Sequence, residues 1–461
     1  KNDLSNHIIR IITRKKEERI RDIVNNNYNC ISSFYELLKT NDFYEKEKIR
    51  AKIDFKTILK VFPVWLAPLD ELHEVLPLEK DLFDLLIIDE ASQCNISACL
   101  PALQRSKNIV FSGDPAQLRH TSFLSVDIMN AYRLKNNLTK HSILNYRKNS
   151  VLDVALFNTP PKNIYHLHEH FRSLAPIINF SNQHFYDNEL VLMTETPDKN
   201  TDGVLEFIKC EGYRNNAGVN EKEALAVINT IHKIVDEQVI KELPASIGVL
   251  SPISAQVDYL NKLVKNEIDY NTIQRHRISV GTAFQFQGDE RDFMLLSLCA
   301  TPTCKSGTFT HLNKPNLFNV AITRARYQQK IFHSFTSKDL PINHLLRKYL
   351  SHNTKKKSIE KKTTTEIRDL FANEISKAIK PLEIDCYEQY PIAGIQIDIL
   401  LKKGNQFLAI DLIGFPGAYH DAFNIKRYML MYRLKIAILP LSYSDWYFDK
   451  EKSLEKIKQY F

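Results

Sequence analysis

Leu85-Leu86-Ile87-Ile88-Asp89-Glu90-Ala91-Ser92-Gln93 is an apolar run of strand length that ends in two adjacent carboxylates and a short polar turn. A central strand of a parallel sheet delivers acids in this way to its carboxyl edge, where open α/β sheets bind ligands. A second strand-like run, Asn108-Ile109-Val110-Phe111-Ser112, ends in Gly113-Asp114-Pro115-Ala116-Gln117-Leu118. Ile96 to Arg105 between them is long enough for a crossover helix, so the segment reads as strand–helix–strand. The plainer reading is a core strand that ends in a solvated acidic turn. The second motif, following at this spacing, favours a ligand site.

Asp89-Glu90-Ala91-Ser92-Gln93 followed by Gly113-Asp114-Pro115-Ala116-Gln117-Leu118 resembles motifs II and III of superfamily 1 helicases. The nearest likeness is to the branch of the nonsense-mediated-decay helicase and its bacterial relatives. The resemblance implies ATP and Mg2+ as cofactors, with Asp89 holding the metal, Glu90 polarising the attacking water and Gln117 touching the γ-phosphate. Asp114 belongs to the same nucleotide-facing set. A triphosphate needs a metal to neutralise its charge and a base to orient water, so adjacent acids suit it chemically.

The 461 residues predict about three domains on a prior of ~150 residues each. A hydrophobic content of 44% and a charged content of 25% are ordinary for globular proteins. The net charge of +8 fits a polyanionic partner. Seven scattered cysteines form no CxxC pair, which suits a reduced, cytoplasmic protein. No apolar run reaches the ~18 residues that a membrane helix needs, and no signal peptide opens the chain.

Residues 1–61 read as helices, with Ile8, Ile9, Ile11, Ile12, Ile20 and Ile23 near helical spacing around a mixed-charge run. This segment resembles the end of a helical insertion in the family's first motor lobe. Residues 62–150 resemble the carboxyl-terminal part of that lobe, and Phe62 to Pro68 matches a proline-bounded strand that feeds its sheet. Residues 151–345 resemble the second lobe. Tyr165 to Ser173 is similar to motif IV, in which Arg172 would contact the γ-phosphate, since a planar guanidinium suits phosphate oxygens. The alternating His166, His168 and His170 would share one face of a strand, yet no fourth ligand is spaced to complete a zinc site. Gly281 to Asp292 resembles motif V, with Gln287, Gly288 and Glu290 retained for ribose and phosphate, although relatives carry an acid where Phe284 stands. Asn319 to Arg326 resembles motif VI, and Arg324 is the candidate arginine finger.

No Gly-x-x-x-x-Gly-Lys-Ser/Thr phosphate loop (Walker A) occurs in the sequence. Two explanations stand open. The chain is the carboxyl-terminal part of a longer motor, or requires a partner chain that carries the loop; alternatively it is a degenerate relative that binds nucleic acid without hydrolysing ATP. Its first residue, Lys1, and its helical opening favour truncation, as does the retention of Asp89, Glu90, Gln117, Arg172 and Arg324.

A polar, basic linker, residues 346–364, leads to a second chemistry in residues 365–461. A helix from Glu366 to Lys380 and a hairpin, Gly394 to Leu401 with Gln406 to Asp411, resemble the PD-(D/E)xK nuclease core of very-short-patch-repair-like domains fused behind some bacterial helicases. The likeness implies Asp398 and Asp411 as metal ligands, Glu366 as a further acid and His420 as acid or base. Ile413 stands where the pattern carries Lys or an acid, and Asp411 where it carries the longer Glu. Lys426, Arg427 and Arg433 on the following helix suit phosphate contacts.

The fold expected is α/β: two RecA-like parallel-sheet motor lobes, the first incomplete, plus a restriction-endonuclease-like α/β domain. The function expected is ATP-driven translocation on nucleic acid, with single-stranded or duplex DNA the partner before RNA, and no membrane. The alternatives are a non-hydrolysing nucleic-acid binder and a metal-dependent nuclease on a motor-like platform.

Overall fold

The computed structural model describes residues 2–194, 201–237, 244–304, 306–352, 370–404, 406–414 and 424–461. The chain divides into two compact units, Lys1–Tyr165 and His166–Phe461. Among the described residues no helix is long and apolar enough to cross a membrane.

The first unit opens on four helices, α1 (Asn2–Asn26), α2 (Tyr28–Lys39), α3 (Phe43–Arg50) and α4 (Phe55–Val61). Asp42 and Asp54 start α3 and α4 by accepting the backbone N–H groups of Glu45 and Lys56, donors that a helix start leaves open. Phe34, Leu37, Ile53, Phe55, Ile58 and Leu76 bury one another. Of the α1 isoleucines, Ile23 is buried, whereas Ile8, Ile9, Ile11 and Ile12 face solvent.

After the short α5 (Leu72–Val75) come β1 (Phe83–Ile88), α6 (Ile96–Gln104) and β2 (Ser106–Phe111). The two strands pair in parallel, Leu86 opposite Ile109 and Ile88 opposite Phe111, which is the expected strand–helix–strand. Next follow α7 (Val126–Lys135) and α8 (Val151–Asn158), the latter opened by a capping box between Ser150 and Asp153. One face of the strand pair packs Ile88, Leu86 and Phe111 against Cys99 of α6 and Val151 and Leu152 of α8. Leu85, Ile87 and Val110 on the other face are exposed.

One expectation gives way here. Phe62 to Pro68 is not a strand: Trp65 packs between Phe34 and Phe83 and donates its indole N–H to the carbonyl of Phe62, drawing the segment onto the helical cluster. Leu66 is left fully exposed. By compactness the first unit extends to Tyr165, with α8 packed under the turn that follows β1.

The second unit begins with β3 (Glu169–His170), α9 (Ala175–Phe185) and β4 (Val191–Leu192). It continues through β5 (Leu205–Lys209), α10 (Glu221–Glu237), β6 (Ile247–Leu250), α11 (Ser254–Glu267) and α12 (Tyr270–Arg275). Then come β7 (Ser279–Gly281), β8 (Arg291–Ser297), α13 (Ser306–Leu312), α14 (Pro315–Ile322), β9 (Ala325–His333) and α15 (Leu345–Leu350). Strands β5-β9-β8-β6-β7 form a wholly parallel sheet. Every residue of β6 is buried, the pattern of a strand covered on both faces.

The last segment carries α16 (Leu370–Ile379), β10 (Asp385–Ile392), β11 (Ile395–Lys403), β12 (Gln406–Ile413), α17 (Ile425–Arg433), β13 (Ala437–Ser442), α18 (Tyr443–Phe448) and α19 (Lys450–Lys458). Its sheet runs β10-β11-β12-β13, antiparallel except for the parallel β12–β13 pair. Met193 beside β4 shares a core with Ile392, Ile397, Leu400 and Met431, so this sheet packs on the β3–β4 ribbon. Residues 353–364 of the expected linker, and Glu366 and His420, lie outside the described residues.

One buried carboxyl stands in the core of the parallel sheet. Glu223 is fully buried and receives hydrogen bonds from Asn220 Nδ2 (3.0 Å), Ser334 Oγ (2.8 Å), Ser297 Oγ (2.9 Å) and the backbone N–H of Cys299 (2.8 Å). Burial outweighs these donors and pushes the carboxyl up to about 7. A raised acid favours the protonated form in the folded state, so its contribution is complete below about pH 4.5 and is lost as pH rises through about 7. Glu223→Gln is therefore expected to flatten the stability profile across that window. In unfolding scans from pH 4.5 to 8, Gln gains on Glu by on the order of 3 kcal/mol; parallel profiles would contradict this.

Candidate functional site

The acids of the first unit sit where the last backbone rungs between β1 and β2 leave them. Ser112 N–H donates to the Ile88 carbonyl and Ala91 N–H to the Ser112 carbonyl, both at 2.8 Å. Asp89 and Glu90 fall between these rungs, Asp89 exposed and Glu90 half-buried. Glu90 takes a left-handed backbone conformation, φ 49°, unfavourable for a residue with a Cβ and held by the flanking hydrogen bonds. Gln93 Nε2 donates to Glu90 Oε2 at 3.4 Å, and the Asp89 carboxylate accepts the Glu90 N–H at 2.9 Å. Among the described residues no cationic side chain pairs with either acid.

The turn after β2 lies against the turn after β1. A Cβ on Gly113 would stand 3.1 Å from the Ala91 nitrogen and 3.2 Å from that of Ser92, so a side chain there would press on the backbone of the neighbouring turn. Asp114 organises its own turn, accepting the Ala116 N–H at 2.8 Å and Gln117 Nε2 at 3.0 Å. Asp89, Glu90, Asp114 and Gln117 thus share the carboxyl edge of one strand pair. Magnesium binds through one or two carboxylates together with substrate phosphates and waters, and an uncompensated pair at this edge fits that requirement.

In the second unit Glu290 gathers two arginines. Arg172 Nε lies 2.5 Å from Glu290 Oε2, and Arg326 Nε lies 3.5 Å from Glu290 Oε1. Arg326 also lies 3.8 Å from Asp292. These groups are a third or more exposed, except Asp292, and such pairs contribute only ~0–1 kcal/mol to stability; their effect is to hold two guanidinium groups in one place. Among the described residues Gln287 buries both amide atoms without a hydrogen-bond partner, an arrangement that costs free energy unless a ligand or water completes it. Gly288 stands at φ 73°, which glycine adopts without strain. Arg324 is only 2% exposed; its Nε donates to the Val320 carbonyl at 3.2 Å and its Nη2 to Thr323 Oγ1 at 3.3 Å. Arg326 is the residue that reading the sequence missed. The motif VI stretch Asn319 to Arg326 already included it.

The three histidines make no metal site. Only His170 lies in β3; its Nε2 accepts the Ser173 N–H at 2.9 Å, and burial, with Arg172 nearby, pushes the imidazole down to about 4. His168 lies 3.6 Å from Glu189. Among the described residues no three or more His, Cys, Asp or Glu side chains gather as metal ligands.

The carboxyl-terminal acids contrast with Asp89 and Glu90. Asp411 is fully buried; Arg427 Nη1 lies 2.5 Å from its Oδ1, and Tyr428 Oη donates to its Oδ2 at 2.9 Å. The same Arg427 nitrogen lies 3.4 Å from Asp398 Oδ2, which also accepts the Leu412 N–H at 2.9 Å. Arg427, expected to suit phosphate, turns instead to these acids, and Arg433 pairs with Glu169. The guanidinium between the carboxylates fits poorly with a divalent ion held by the same oxygens.

Two AAA domain families match the chain, one over residues 66–124 and one over residues 148–334. The first match contains Asp89, Glu90, Asp114 and Gln117, and the second Arg172, Gln287, Glu290, Arg324 and Arg326; Asp398 and Asp411 lie beyond both. The uncharacterized ATP-dependent helicase MG140 of Mycoplasma genitalium is 26% identical over 307 residues, covering 62% of this chain and 26% of its own. The uncharacterized ATP-dependent helicase MJ0104 of Methanocaldococcus jannaschii is 26% identical over 269 residues, covering 53% and 35%. The DNA replication ATP-dependent helicase/nuclease dna2 of Schizosaccharomyces pombe is 26% identical over 309 residues, covering 58% and 20%. The chain thus spans about a third or less of the length of these relatives.

The contact at Gly113 is open to a direct check. Gly113→Ala should lower stability by ~1–3 kcal/mol in urea unfolding, because backbone atoms of the Asp89–Glu90 turn must move. Gly307→Ala, in α13 with open space around it, should be neutral or stabilising by up to about 1 kcal/mol. Equal effects would mean the close approach of the two turns carries no cost.

Proposed function

We propose that this chain, a homologue of ATP-dependent helicases of superfamily 1, supplies the metal-holding, water-orienting and phosphate-contacting side chains of an ATP-driven motor that travels on nucleic acid. The observation that carries the reading is the uncompensated Asp89–Glu90 pair at the carboxyl edge of β1, braced by the Gly113–Gln117 turn. Bound magnesium would neutralise phosphate charge beside Asp89. Glu90 accepts a proton from the attacking water, and Gln117 faces the phosphate that it attacks. Its left-handed backbone aims the Glu90 side chain independently of Asp89, which lets two neighbouring acids take different tasks.

From the second unit, Arg172 and Arg326 bring guanidinium groups suited to phosphate oxygens, and Glu290 keeps both extended. Arg324 is the further cationic candidate for the transferring phosphoryl, and Gln287 has an amide in need of a hydrogen-bonding partner. The loop that cradles the β- and γ-phosphates comes, on this reading, from sequence outside these 461 residues. The net charge of +8 suits a nucleic-acid track, and single-stranded DNA is the first candidate. The carboxyl-terminal segment serves this motor without being assigned nuclease chemistry.

In the natural full-length protein, Glu90→Gln should lower DNA-stimulated ATP turnover by ~10²–10⁴ while nucleotide affinity stays within a few-fold. Undiminished turnover in that variant, or a wild-type protein that binds nucleotide and DNA without hydrolysis, would overturn the proposal.

A further inference from the structure

The acids at the ends of β11 and β12 raise a question separate from ATP. Asp398 and Asp411 lie one step beyond the paired rung Ile399↔Ile410, so two carboxylates meet on adjacent strands. Asp411 has no exposed surface. Burying like charges side by side is costly unless a cation or a proton compensates them. Two carboxylates so placed are also what a divalent metal would use to activate water on a phosphodiester.

We propose that Arg427 is the resident cation of this acid pair, standing where a divalent ion would bind, so that the carboxyl-terminal module takes no metal there and works as a brace for the motor. Three observations support it. Both Asp411 oxygens are engaged by protein donors, Arg427 Nη1 at 2.5 Å and Tyr428 Oη at 2.9 Å. Asp398 Oδ2 receives Leu412 N–H at 2.9 Å and lies 3.4 Å from the same guanidinium nitrogen. Ile413, nearly buried, offers no ammonium from the strand, and the positive charge arrives from α17 instead. A divalent ion at these oxygens would have to displace the arginine or stand against its charge.

The brace follows from what α17 touches elsewhere. Successive residues Arg427 and Tyr428 fasten its first turns to the strand ends. Met431 is buried with Met193 and Ile397, and Arg433 pairs with Glu169 of β3. Glu169 lies three residues before Arg172. The Arg427 pair therefore anchors the helix that ties the carboxyl-terminal sheet to the ribbon leading into the candidate phosphate-contacting arginine. This inference rests on the carboxyl-terminal residues and holds or fails independently of ATP hydrolysis.

The test is Mn2+ stoichiometry by electron paramagnetic resonance on nucleotide-free whole chain, wild type beside Asp398→Asn. Any site at Asp89 is common to both, so the difference isolates the pair. Equal stoichiometry is expected; one fewer Mn2+ in Asp398→Asn overturns the proposal. Arg427→Met supplies the second measurement. It should melt several degrees below wild type and recover part of that loss with millimolar Mn2+, since the ion can then replace the missing cation. Wild-type melting with no response to Mn2+ would show that Arg427 is not the counter-ion.

Discussion

The hydrogen bonds from Ser112 to Ile88 and from Ala91 to Ser112 close the β1–β2 ladder one residue either side of two acids. Much of the first unit follows from that closure. It fixes Asp89 and Glu90 at the strand edge, brings Gly113 into contact with backbone, and leaves Ala91 as the floor on which α8 packs. A carboxylate held in such a place must meet water, a ligand or a cation. This chain uses two solutions. Asp89 and Glu90 have no cationic partner among the described residues and stand at an exposed edge, whereas Asp411 is buried beside Arg427.

Charge is managed differently again in the second unit. Glu290 neutralises Arg172 and Arg326 in part, which keeps two cations together without strong mutual repulsion. Because these pairs are partly exposed, the arrangement is cheap to open. Arg324, two residues before Arg326, is buried and contacts its own helix end. Two arginines of one motif, two positions apart, therefore occupy different environments.

Much of the fold was legible because its strands follow a period that chemistry enforces. The run 85–88 is apolar throughout and 395–401 is apolar where its sheet buries it, and the turns carry the glycines and acids that mark carboxyl edges. What was hidden depends on tertiary partners. Phe62 to Pro68 resembles a strand segment of the family, yet Trp65 finds Phe34 and Phe83 and the segment follows it. The packing of Val151 and Leu152 with Ile88, Ala91 and Cys99 is likewise a tertiary contact with no local signal. Arg427 has the look of a phosphate-facing residue, and only the meeting of β11, β12 and α17 reveals its pairing with Asp411.

The central claim is that the acids after β1 hold a metal against a nucleotide's phosphates. It is tested most directly by 31P electron–nuclear double resonance of Mn2+ bound to the natural full-length protein with a non-hydrolysable ATP analogue. Hyperfine coupling to phosphorus in the wild type, lost in Asp89→Asn, is the predicted result. Phosphorus coupling that persists unchanged in Asp89→Asn, or that never develops in the wild type, would contradict it.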